Sequence, residues 1–124
     1  MLYTIAMLYR VIFYRDENSY SQPLEYFRAM KPTHRAKAAK WLQLVEEQGP
    51  TLPRPYADIV APGIRELRVP IEHHQHRFLH SFYERIAVVT TGFLKNMGQV
   101  PDSEIVRSRR AFADWKTRRG WEKV

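Results

Sequence analysis

"GIRELRVPIEHHQHRFLHSFYERIAVVTTGF", residues 63–93, is the stretch whose reading decides the fold. Its side chains alternate with a period of two, the spacing at which successive residues point to opposite faces of a strand. In IRELRV, Leu67 and Val69 alternate with Glu66 and Arg68; in HRFLHSFY, Phe78, His80 and Phe82 alternate with Arg77, Leu79 and Ser81. RIAVVTTGF follows after a connection no longer than Glu84 and Arg85. Parallel neighbours need a crossover of roughly a dozen residues, so three strands this close predict an antiparallel meander. The connection carries neither Asn-Gly nor Asp-Gly, and its turn type stays open.

Working outward, the period changes to that of a helix on both sides. From about Pro101 onward Ile105, Phe112 and Trp115 recur on one face, with Arg107, Arg110 and Lys116 at polar positions. Upstream, Leu8 to Tyr14 reads as a first strand, Val11 and Phe13 on one face and Ile12 and Tyr14 on the other. Pro23 suits a helix's first turn, and Leu24, Phe27 and Met30 follow at helical spacing. Pro32 breaks that helix. THRAKAAKWLQLVEEQG supplies a second, with Thr33 as N-cap, an apolar stripe of Ala38, Leu42 and Val45, and Gly49 as its end, so the pair predicts a helical hairpin. Prolines at 50, 53, 55 and 62 then predict a stiff, irregular connection, long enough to be either functional or a spacer. The order strand, helix, helix, three strands, helix predicts an α+β domain whose helices cover one face of a small sheet.

The 124 residues fit one domain, read as 1–124 with 1–7 an N-terminal extension and 119–124 a flexible tail. Twenty Lys and Arg stand against thirteen Asp and Glu, a formal net charge of +7, which favours polyanionic partners. The cations thicken at Arg28–Lys40 and Arg107–Lys123, each of which taken alone is also what a solvated helix surface looks like. With no cysteine there is no disulfide framework, no thiolate nucleophile and no Cys-based zinc site, and a cytoplasmic setting fits. The apolar start, MLYTIAMLYRVIFY, is about 14 residues against the roughly 20 of a membrane span. It carries Arg10 in its middle and no small-residue cleavage site, so neither a span nor a signal peptide is expected.

Four pieces in order resemble one family. Gly63, Glu66, Leu67 and Arg68 are similar to the G-x-x-E-L-R strand of HigB-like toxins, phage-derived members of the RelE/ParE toxin superfamily. HRFLHSFY resembles the family's Y-R-hydrophobic-hydrophobic-Y strand, with Arg77 on the arginine; VVTTGFLKN resembles the apolar strand ending in G-F-x-K-K; QVPDSEIVRSRR resembles the T-P-x-x-E-I helix start. The resemblance spans about Tyr9 to Arg110. It implies a RelE-like fold, with a small antiparallel sheet, an N-terminal helical hairpin packed on one face and a C-terminal helix. It also implies the toxin of a type II toxin–antitoxin pair, an mRNA interferase that cuts on the ribosome without a metal and is neutralised by a cognate helix-turn-helix antitoxin in a hetero-oligomer. Such an endoribonuclease lets the RNA 2′-hydroxyl attack the adjacent phosphate, and must neutralise the phosphorane that forms. Carried over by position, Arg68, Arg77 and Lys95 are the catalytic candidates, with no cofactor. Two places depart from the pattern: Asn96 stands where a second lysine is usual, and Val100, which accepts no hydrogen bond, precedes Pro101 where threonine is usual.

The remaining candidates are RNA contacts. Arg65 shares the parity of Leu67 and Val69 and reaches RNA only by snorkelling at the strand edge. His74 and His76 alternate and would share a strand face with Glu72 and His80; they are read as RNA-contacting groups able to move a proton near neutral pH. No helical His-Glu-x-x-His spacing occurs, and no metal set is assigned. Arg107 and Arg110 supply a supporting positive field. Trp41 and Trp115 read as packing residues; Trp121 in the tail reads as a partner contact or a frayed end. A competing reading pairs Arg68 with Glu66 as an ordinary strand ion pair. A non-catalytic module that engages only antitoxin or nucleic acid is the second function on the same fold. Convergence of Arg68, Arg77 and Lys95 in a concave basic groove favours the enzyme; splaying, or neutralisation by acids, favours the module. A DNA-binding regulator would need a helix-turn-helix, and Arg28–Lys40 lacks the turn.

Overall fold

A computed structural model describes residues 8–95 and 98–118. The 1–7 extension, Asn96, and the 119–124 tail with Trp121 lie outside the described residues. The elements are β1 (Arg10–Phe13), α1 (Gln22–Ala29), α2 (Pro32–Gln48), a single 3-10 turn (Gly49–Thr51), β2 (Ala57–Ala61), β3 (Ile64–Ile71), β4 (His74–Tyr83), β5 (Ile86–Leu94) and α3 (Asp102–Arg118). One sheet runs β1-β5-β4-β3-β2. The meander forms as its alternation predicts, with two-residue turns between Ile71 and His74 and between Tyr83 and Ile86. Glu72 and Glu84 take the left-handed conformation there, φ 56° and 52°, which the missing Asn-Gly signals gave no hint of.

Three features differ from the sequence reading. The proline-rich connection contains a strand: β2 sits between Pro55 and Pro62 and pairs antiparallel with β3. Proline is tolerated beside an edge strand, which needs ladder bonds on one side only. β1 pairs parallel to β5, Arg10 opposite Ile86, so the sheet is mixed, because both helices of the hairpin lie between it and its partner. Finally, helices cover both faces of the sheet. Leu67, Val69 and Phe78 share one core with Met30 of the α1 end and Ala38, Leu42 and Val45 of α2. The opposite parity is apolar too: Leu79 and Val88 are fully buried beneath α3, whose Ala111 and Trp115 are buried and whose Ser108 bonds Thr90. A sheet with two apolar faces needs a layer on each.

Local signals explain most boundaries. Ser21 caps α1 by accepting from Leu24 N–H at 3.2 Å. Thr33 is not the cap of α2; Lys31 holds that position, Pro32 fills the first turn, and Gly49 ends the helix at φ 57°. Val100 leaves α3 no hydroxyl before Pro101; the Pro101 carbonyl instead accepts from the Glu104 and Ile105 amides at 3.0 and 3.3 Å.

Candidate nucleic-acid interface

β3 and β4 place Arg68 directly opposite Arg77 on the face that α3 covers. Two like charges at paired positions repel, so the arrangement requires an anion. Glu66 supplies it: fully buried, it takes the Arg68 Nε on Oε1 and the Arg77 Nη1 on Oε2, the latter at 3.0 Å. Arg77 is itself buried, at 4% exposure; its Nη1 also reaches the Gly98 carbonyl at 3.4 Å and its Nη2 the Gln75 side chain at 3.0 Å, while its buried Nε has no hydrogen-bond partner among the described residues. Arg68 is the open member of the pair, with 36% of its side chain exposed.

Above the pair lies a groove of about 480 Å³, lined by Arg54, Asp58, Arg68 and Arg77 on one side and by residues 98–100, Asp102 and Ile105 on the other. Its first wall is the proline-flanked segment and β2; its second is the approach to α3. On the first wall Arg54 donates to Asp58 at 2.9 Å, and Arg68 Nη2 lies 3.8 Å from the same carboxylate. The Arg54 hydrogen bond holds the Asp58 carboxyl below its ordinary pKa. Lys95 follows β5, bonded through its backbone N–H to the Gln75 carbonyl at 2.9 Å. Its side chain runs beside Gly98, at the rim rather than in the lining.

The other sequence candidates fall elsewhere. Arg65 faces the α1–α2 side and donates to the Leu52 carbonyl at 2.9 Å. His76, on the same side, is buried: its Nδ1 meets the Tyr26 hydroxyl at 2.6 Å and its Nε2 meets His34 Nδ1 at 3.2 Å. Burial, then the neighbouring His34 and His74, lowers its pKa. His74 begins β4 and is exposed. The geometry thus separates Arg65, His74 and His76 from the paired arginines by the thickness of the sheet. Arg107 and Arg110 line a different hollow of about 590 Å³, with Tyr14 and Asp114. Among the described residues no cluster of three metal-ligating side chains occurs.

Sequence reasoning passed over Arg54, Asp58 and Gln75. Arg54 and Asp58 stand four apart, but their relation to the arginine pair depends on β2, which the surrounding prolines conceal. Gln75 was legible in principle, since it shares the parity of Arg77 two residues on.

A five-stranded mixed sheet with an N-terminal helical pair and a C-terminal helix, carrying a groove built on paired arginines, defines a small α+β protein consistent with the RelE-like fold. Residues 25–113 match the family described as phage-derived protein Gp49-like (DUF891), and the chain belongs to that family. It is a RelE/HigB-like toxin family associated with toxin–antitoxin systems. No curated protein matches the chain. Among the described residues no helix is long and apolar enough to cross a membrane.

Proposed function

We propose that this chain is the toxin of a type II toxin–antitoxin pair, an endoribonuclease that cuts mRNA on the ribosome until its antitoxin binds. The observation that carries the reading is the juxtaposition of Arg68 and Arg77 on a single buried Glu66, at the floor of a groove open to solvent. Glu66 holds the two guanidiniums side by side before any ligand arrives, so little rearrangement is needed when negative charge develops on a phosphate. RNA brings its own nucleophile, the 2′-hydroxyl. The protein's part is to hold the phosphate in line and to neutralise the phosphorane, which arginine does through paired N–H donors. Lys95 at the rim adds a point charge towards the leaving oxygen. Cytoplasmic action and a hetero-oligomer with the antitoxin follow from the same reading.

The non-catalytic reading is favoured by a different observation: Glu66 neutralises both arginines, the Nη donors of Arg77 go to Glu66, Gln75 and Gly98, and no imidazole lines this groove. Inducing the chain alone separates the two. Growth arrest with newly cut mRNA, both relieved by Arg68→Ala, is the expected result; a urea titration of that variant, in which Arg77 still holds Glu66, checks that it is folded. Arrest without cut mRNA supports the binding module, and undiminished cleavage in Arg68→Ala removes the arginine pair from the chemistry.

A further inference from the structure

The Asp58 carboxylate occupies the groove much as a phosphate would. Its Oδ2 receives Arg54 Nε at 2.9 Å and Arg54 Nη2 at 2.8 Å, and Arg68 Nη2 stands 3.8 Å away. Two guanidiniums gathered on one oxygen is the pattern by which arginines hold a non-bridging phosphate oxygen. The two acids of the site differ sharply in exposure. Glu66 is sealed at 0%, whereas Asp58 is 22% exposed and Arg54 75%. An ion pair in contact with water is worth little and exchanges partners readily, while the buried one is costly to break. The charges also nearly cancel at rest: Arg54, Arg68 and Arg77 are faced by Asp58, Glu66 and, at the start of α3, Asp102. With Asp58 turned out of the groove, three arginines face two carboxylates, Glu66 and Asp102, and the site gains a net positive charge. Arg54 lies between Pro53 and Pro55, whose fixed φ stiffens the segment that carries it.

The geometry points to Asp58 as a displaceable latch: in the free protein it occupies the phosphate position between Arg54 and Arg68, and it gives way to a phosphate of single-stranded RNA. Arg54 then becomes an RNA-contacting residue beyond the arginine pair. This rests on the RNA-handling function proposed above.

The test uses the full chain and a short fluorescent single-stranded RNA with 2′-O-methyl riboses, which binds but presents no nucleophile. Asp58→Asn keeps the shape and removes the charge, and binding tightens by about tenfold at low salt, the difference shrinking as salt screens the site. Most of that gain is lost when Arg54→Ala is added, because the freed Arg54 supplies it. Asp102→Asn, which removes an equal charge from the other wall, gives a smaller gain. Unchanged or weaker binding by Asp58→Asn overturns the latch, and so does an equal gain with and without Arg54, which would mark a diffuse charge effect. If wild type binds through Arg68 and is indifferent to Asp58→Asn, the latch alone fails and the RNA reading stands. If neither wild type nor any variant binds, both fail together.

Discussion

Glu66 is the residue on which the candidate site depends. It is charged, fully buried, and placed beneath two arginines that would otherwise repel one another across the β3–β4 ladder. Removing one member of a buried ion network leaves the rest uncompensated, at about 3–5 kcal/mol. Glu66→Ala is therefore expected to destabilise the fold by that much in urea titration, whereas Arg54→Ala, on an exposed pair, shifts it by less than about 1 kcal/mol. Equal effects of the two would deny Glu66 its role. The same asymmetry makes Arg77→Ala a poor probe of chemistry, since Arg77 is buried on Glu66. The alternation in residues 64–71 already put Glu66 and Arg68 on one face and raised the pairing between them. That Glu66 is sealed from water was not legible, because β2 beside it and α3 above it come from distant segments.

At the scale of elements, α1 shows how a short helix is held by what it docks on. Eight residues are too few to be helical alone. Gln22 at its start mimics a strand, donating to the Gly92 carbonyl at 2.7 Å and accepting from the Gly92 N–H at 2.9 Å. Gly92 is required by the approach: a Cβ there would stand 2.9 Å from the Tyr26 ring and 3.1 Å from that of Phe78. Gly92→Ala is expected to cost about 1–3 kcal/mol by overpacking, read as a lowered Tm. An unaltered Tm would mean that α1 floats free of β5. In the sequence, Gly92 looked like part of a strand-end pattern and the helix like the first half of a helical hairpin. Their mutual dependence joins residues about seventy positions apart. β2 was missed for a related reason: its prolines argue against a strand locally, and only the unpaired edge of β3 makes one there worthwhile.

Across the whole molecule, the face that α1 and α2 cover holds the buried imidazoles of His34, His76 and His80, and the face that α3 covers holds the arginine–carboxylate network. His80 is buried, and desolvation lowers its pKa to about 4 from 6.5. Between those values the unfolded chain carries a proton that the folded one refuses, so stability falls as pH drops through that window. The full gap amounts to about 3 kcal/mol, and His76, also lowered chiefly by burial, adds in the same direction. Denaturation at pH 7 and pH 4.5 is expected to show that loss, and His80→Leu to reduce its slope; an unchanged slope would place the titration elsewhere. The sequence by itself determined the helical hairpin, the meander and which strand residues share a face, because those follow from local periodicity and from proline and glycine at the boundaries. It determined the family resemblance through the same short patterns. Only the tertiary structure decided that α3 seals the second face, that β2 brings Arg54 and Asp58 to the paired arginines, and that His76 lies on the far side of the sheet from them. Those relations are set by packing between segments far apart in the chain, where no local pattern records which neighbour a side chain will meet.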